Sequence, residues 1–229
     1  MKITHASELE KPAALRIIYA DPGTGKTTLL QHMPGRKLII DIDGTSSVLQ
    51  GLENIDIVSI DNPDDIREEL PKLLADIKAN YLDQYDSIAL DNISELENAV
   101  LTEYGKKGNN HGVPGIQNYQ QLQFFELDLI RFMKSFNKDV VITAWSDNDQ
   151  FTEESSGQSF TRTYPKIRKP ILTNVMGLAL QVGKLVISPK TGKRGVMLKP
   201  SNATFAKNQI DSREFALPED LFKPSDANV

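Results

Sequence analysis

The 229-residue chain has no cysteine, which excludes disulfides and thiolate metal sites. No apolar stretch in it approaches the roughly 20 residues a helix needs to cross a bilayer. The opening residues, Met1-Lys2-Ile3-Thr4-His5, lack the apolar core of a signal peptide. The three histidines, His5, His32 and His111, are too scattered for a zinc site. There is no internal repeat and no low-complexity segment. A cytoplasmic protein with no membrane partner is therefore expected. One further absence is local. Residues 160–210 contain no Asp or Glu but ten Lys/Arg, whereas residues 1–159 hold 14 Lys/Arg against 26 Asp/Glu and the net charge is −5. An acid-free run of that length favours a localised site for a polyanion over a generally basic surface. A solvated basic face balancing an acidic protein is the plainer alternative.

What is present begins with Ile17-Ile18-Tyr19-Ala20-Asp21-Pro22-Gly23-Thr24-Gly25-Lys26-Thr27-Thr28. A buried strand over Leu15–Ala20 runs through a loop with two glycines into a helix over Thr27–Met33, the arrangement of a Walker A phosphate loop. Gly23 and Gly25 let successive N–H groups converge on phosphate, and the helix start adds its dipole. Lys26 supplies a cation for the β and γ phosphates of ATP, and the Thr27 hydroxyl can ligate Mg²⁺. Ala20 stands where the motif usually has its first glycine. The cofactor-binding set is Asp21, Pro22, Gly23, Thr24, Gly25, Lys26, Thr27 and Thr28.

Further strands are expected at Lys37–Asp43, Ile55–Ile60, Tyr85–Asp91 and Val140–Trp145, with helices after Asn62, at Ile93–Tyr104 and at Ile116–Asn137. Pro71 should kink the first of these helices. Two polar loops separate them, a mobile Gly105–Gly115 and residues 146–169, the latter with a small hairpin about Ser155-Ser156-Gly157. Leu180–Ile187 and Gly195–Leu198 read as an antiparallel hairpin. The chain then divides into an irregular leader (1–14), one α/β domain (15–210) and a weakly ordered tail (211–229). Alternating strands and helices imply a mostly parallel sheet flanked by helices, with ligands at the carboxyl ends of the strands.

Asp91 ends an apolar strand in the Walker B pattern and is expected to hold Mg²⁺ beside Thr27. The alternative is a cap for the next helix. Asn92 follows where many P-loop ATPases have a glutamate, and it is a poor base. Asp43, near the end of the second strand, is the candidate base that orients the attacking water, against the alternative of an ordinary Asp-Gly turn.

Ala20–Thr28, Asp43, Ala89-Leu90-Asp91-Asn92-Ile93 and Val140–Trp145 together resemble the RecA-like P-loop NTPase core. More narrowly they resemble the compact phage nucleotide-binding proteins of the single-strand annealing recombinase type. The resemblance implies a Mg²⁺-dependent ATPase of DNA recombination, acting in the host cytoplasm if of phage origin, that binds single-stranded DNA through two loops. The basic residues Lys106, Lys107, Arg162, Lys166, Arg168 and Lys169 can neutralise phosphates there, and Phe160 and Tyr164 can stack bases. It also implies a homo-oligomer, ring or filament, in which basic residues complete a neighbour's ATP site. Lys207, Arg194 and Arg213 are the candidates for such a trans finger. Asp43 stands where that family usually has glutamate, and Trp145-Ser146 where it tends to have Gln or His. Two other readings stay open: a P-loop kinase or nucleotidyl-transferring enzyme for a small substrate, and a nucleotide-dependent adaptor with little hydrolysis.

Overall fold

The computed structural model describes residues 5–8, 12–60, 62–155 and 157–223. Ten strands form one sheet: β1 (Leu15–Ala20), β2 (Lys37–Asp41), β3 (Ile55–Ser59), β4 (Ser87–Asp91), β5 (Asp139–Thr152), β6 (Ser159–Pro165), β7 (Gln181–Ile187), β8 (Arg194–Met197), β9 (Lys207–Asn208) and β10 (Phe215–Ala216). Five α-helices among the described residues accompany them: α1 (Lys26–Leu29), α2 (Ile66–Asp76), α3 (Ile93–Lys107), α4 (Ile116–Lys134) and α5 (Lys169–Leu178). The sheet order is β10-β8-β7-β1-β5-β4-β2-β3, with β6 paired to β5 and β9 to β7. The pairs β1–β5, β1–β7, β4–β5, β2–β4 and β2–β3 are parallel, and β7–β8 and β8–β10 antiparallel. This is the expected mostly parallel α/β sheet with antiparallel strands toward the C-terminus.

The alternating side chains of β1 explain how its two faces are covered. Ile17 and Tyr19 face α2 to α5, together with Leu90, Leu96, Ile130 and Val175. Ile18 and Ala20 face the other way, onto Leu29, Leu30, Met33 and Leu49 and the late residues Ala216 and Leu221. Residues 211–223 therefore differ from the weakly ordered tail expected there. They close the second face of the sheet: Leu221 is buried, and β10 pairs with β8. The Arg213 guanidinium, rather than standing free for a neighbour, donates to Asp211 Oδ2 at 2.6 and 2.9 Å and to the Asp220 carbonyl at 2.7 Å. The leader falls partly outside the described residues.

Both polar loops also differ from expectation. Helix α3 continues to Lys107, and Gly105 lies inside it. A Cβ on Gly105 would come within 2.1 Å of the Gly112 carbonyl oxygen, so this glycine serves close packing of the loop on the helix rather than flexibility. Residues 146–152 and 159–165 form a long antiparallel ribbon in place of most of the expected loop, its turn falling where the small hairpin is expected, with Ser156 outside the described residues. Ser146–Thr152 pair with Ser159–Pro165, Phe151 opposite Phe160, and the turn closes through the Glu153 N–H to the Gln158 carbonyl at 2.9 Å. The ribbon is largely solvated, so the apolar alternation that marks a half-buried strand is missing from its sequence.

Candidate nucleotide-binding site

At the carboxyl ends of β1 and β4 a cavity of about 620 Å³ is lined by Gly23, Lys26, Thr27, Asp43, Asp91, Glu95, Trp145 and Arg194 among others. The loop that opens it turns on Gly23 and Gly25, whose φ angles are +77° and +104°, a backbone region that side-chain-bearing residues rarely adopt. Helix α1 is only one turn long and passes into a 3₁₀ turn over Leu30–His32. A dipole that short is weak, so the convergent N–H groups and Lys26 carry most of the anion attraction. Lys26 is 7% exposed, and its ammonium donates to the carbonyls of Ala20 at 3.1 Å and Asp21 at 3.2 Å. Burial pushes that ammonium below its ordinary pKa, against the pull of Asp91, Asp43 and Asp21.

Asp91 and Thr27 meet as expected, the hydroxyl donating to Oδ2 at 2.6 Å. The other carboxylate oxygen accepts from Thr143, a residue of the strand β5 that separates β4 from β1. Burial raises the Asp91 carboxyl above the usual range, opposed by the hydrogen bonds from Thr143 and Thr27. A buried carboxylate and a hydroxyl side by side are hard oxygen donors suited to Mg²⁺, which binds through one or two protein ligands and otherwise keeps water and phosphate. No cluster of three or more acidic or histidine ligands competes for that role among the described residues.

Asp43 lies at the same cavity, but both its oxygens are engaged. Oδ1 accepts from the Thr45 hydroxyl at 2.6 Å, and Oδ2 from Asn92 Nδ2 at 2.5 Å. Strand β2 has already ended at Asp41, whose carboxylate accepts from the Gly44 and Ser46 N–H groups at 2.9 and 3.1 Å and shapes the turn. Asn92 is fully buried and caps α3 by accepting from the Glu95 N–H at 2.8 Å. It thereby ties Asp43 to the first turn of α3. Glu95 is the residue that sequence reasoning missed. Its Oε2 accepts from Asn98 at 3.0 Å, and its Oε1 has no partner among the described residues. The signal was Asn92-x-x-Glu95, a helix-start pattern that places a glutamate one turn beyond Asp91.

Residues 14–210 match a family model described as AAA domain. The chain belongs to the AAA domain family. It is thus a P-loop NTPase by family as well as by loop geometry. The fold of this AAA domain can be superposed on a crystal structure of the RadB recombinase with a TM-score of 0.48 and 15% identity, covering 81% of this chain and 80% of the other. No curated protein matches it. No helix among the described residues is long and apolar enough to cross a membrane.

The basic residues of the AAA domain fall into two sets. Lys106 and Lys107, in the last turn of α3, pair with Asp64 and Asp65, and Lys169 pairs with Asp149 at 2.5 Å. Arg162, Lys166 and Arg168 instead lie over aromatic rings: Arg162 over Phe151 and Phe205 at 5.0 and 5.2 Å, Lys166 over Trp145 at 4.9 Å and Arg168 over Tyr119 at 4.4 Å. Tyr164 is buried, its hydroxyl 3.4 Å from Asp147 Oδ2, and so is not presented as a base-stacking ring. Like Arg213, the two other candidates for a trans finger are held by groups of their own chain. The Lys207 ammonium donates to the carbonyls of Met176, Gly177 and Ala179 at 3.2, 3.3 and 2.6 Å, at the end of α5. Arg194 Nε donates to the Thr24 carbonyl of its own phosphate loop at 2.7 Å.

On α3 and α4 lies a buried acidic pair that the sequence reading did not find. Glu97 accepts from the Arg168 N–H at 2.6 Å, and burial pushes its carboxyl up to about 7, opposed by that bond and by the charges of Arg168 and Lys166. Glu126 is fully buried with both carboxylate oxygens unpartnered. Burial and the charge of Glu97 hold it well above its ordinary value.

Proposed function

We propose that this AAA domain is a Mg²⁺-dependent, RecA-like ATPase of DNA recombination or single-strand annealing, in which ATP binding and hydrolysis are coupled to single-stranded DNA. The observation that carries the nucleotide half is the 2.6 Å approach of Thr27 to Asp91 beside the buried Lys26. Lys26 and the loop amides bind the phosphates and stabilise charge developing on the γ-phosphate. Thr27 and Asp91 would hold the metal, which when bound neutralises phosphate charge. Asp43 and Glu95, both lining the cavity, would orient the attacking water. Asp43 does so only by giving up a bond to Asn92 or Thr45, whereas Glu95 has an oxygen already available.

The DNA half rests on the cations laid over aromatic rings. Arg162, Lys166 and Arg168 can meet phosphates while Phe151 and Phe160 of the ribbon stack bases. Lys106, Lys107 and Lys169 would have to exchange an acidic partner for a phosphate. In a head-to-tail oligomer this face would line a continuous track. The test is phosphate release from ATP alone, with single-stranded DNA and with duplex. Stimulation by single strands is expected, and equal rates in all three would remove the DNA role. A nucleotide-dependent adaptor with little turnover is the second reading, favoured by the engagement of both Asp43 oxygens. It predicts ATP binding with no hydrolysis above a Lys26→Ala background.

A further inference from the structure

We infer that Arg194 serves the nucleotide held by its own chain, as a cis clamp on the polyphosphate, and does not complete a neighbour's site. This rests on the reading of the cavity as a nucleoside-triphosphate site and adds the residue that closes it. Three observations carry it.

Arg194 Nε donates to the Thr24 carbonyl at 2.7 Å, in the middle of the phosphate loop. Holding a guanidinium by Nε leaves its two terminal nitrogens as a planar fork, the geometry that takes two phosphate oxygens at once. Neither terminal nitrogen has a protein partner among the described residues, and Arg194 lines the same cavity as Lys26, Thr27 and Asp91.

The loop is shaped to receive this side chain. A Cβ on Gly25 would lie 2.8 Å from Arg194 Nε and 3.3 Å from its Cδ and Cζ. Gly25 is favoured by its +104° φ angle, and its missing side chain leaves the space in which the guanidinium rests.

The approach is fixed by the sheet. Arg194 opens β8 opposite Ile187 of β7, and the turn between them is closed by the Ser188 N–H to the Lys193 carbonyl and the Gly192 N–H to the Ser188 carbonyl, both 2.8 Å. The next residue, Gly195, lies so close under Phe215 that a Cβ would meet the ring at 1.9 Å. Arg194 also borders a second cavity of about 430 Å³, beside Thr28, Gln31, His32 and Pro218. It therefore stands where the polyphosphate end of a nucleotide would pass toward the remainder of the ligand. Phosphate charge, not base identity, is what a guanidinium there recognises.

The experiment is calorimetric titration of wild-type protein, Arg194→Ala and Arg194→Lys with Mg·ATP and with AMP. Loss of one charge-assisted fork should weaken Mg·ATP binding roughly ten- to hundredfold, change AMP binding far less, and be only partly restored by lysine. Arg194 is exposed, so unchanged melting temperatures are expected. Mixing Arg194→Ala chains with Lys26→Ala chains, which keep an intact Arg194, should restore nothing. Wild-type affinity in Arg194→Ala, or recovered affinity in the mixture, overturns the cis assignment while leaving the ATPase reading intact. Wild-type protein that fails to bind Mg·ATP overturns both.

Discussion

The cations of the phosphate loop and those around the ribbon are held in opposite ways. At the nucleotide end one ammonium is buried, held on loop carbonyls and surrounded by Asp91, Asp43 and Asp21. Most of its desolvation cost has been met by folding, so a triphosphate arrives at a fixed cup. Around the ribbon and at the end of α3 the cations are exposed or half-buried, and each already has a partner, a carboxylate for Lys106, Lys107 and Lys169 and a ring for Arg162, Lys166 and Arg168. A cation over a ring keeps its charge available, whereas a paired one must first release an anion. On the proposed function, the difference predicts tight nucleotide binding at the first and salt-governed single-strand binding at the second.

The largest effect expected is that of Lys26→Ala. Removing a buried charge that meets phosphate costs about 2–5 kcal/mol, so fluorescent-ATP affinity should fall by roughly 10³-fold while the circular dichroism spectrum persists. Retained affinity would dissolve the contrast between the two ends. Next comes the comparison of Glu95→Gln with Asp43→Asn. The Glu95 variant should lose about 10²-fold in phosphate release with ATP binding unchanged, and retain unhydrolysed ATP through gel filtration. The Asp43 variant should lose less, because its oxygens are already engaged. The reverse order would return the base to Asp43.

At the ribbon, Lys166→Ala with Arg168→Ala should flatten the dependence of single-strand affinity on log salt by about 1.4, and Lys106→Ala with Lys107→Ala by less. Equal slopes in all proteins would take the basic segment out of the DNA interface. The last comparison is of stability. A carboxyl whose folded pKa is raised stabilises the fold fully below its unfolded value and loses that contribution as pH rises through the folded one. For Glu97 the window runs from the ordinary 4.5 to about 7. Wild-type protein should therefore lose up to about 3 kcal/mol across it relative to Glu97→Gln, whose amide oxygen still accepts the Arg168 N–H. Parallel melting curves for the two proteins would show that Glu97 is ionised throughout.

Much of the nucleotide end could be read from the sequence because its signals are local. Gly23, Gly25, Lys26 and Thr27 follow one another on one strand-to-helix turn, and Asp91 ends an apolar strand. What escaped was set by distant contacts. Glu95 looks like an ordinary first-turn acid until Asn92 joins it to Asp43. Arg194 reaches Thr24 across 170 residues, a distance no spacing rule spans. Residues 211–223 look unpatterned, yet Ala216 and Leu221 cover the second face of the sheet. The ribbon hid for the opposite reason, since strands wetted on both sides leave no hydrophobic period to find.

The most direct test of the whole account is a calorimetric titration of wild-type protein with ATP, with and without Mg²⁺. Saturable binding at one site per chain, tightened by Mg²⁺ through Thr27 and Asp91, is the predicted result. Heat no greater than dilution at millimolar Mg·ATP would contradict it.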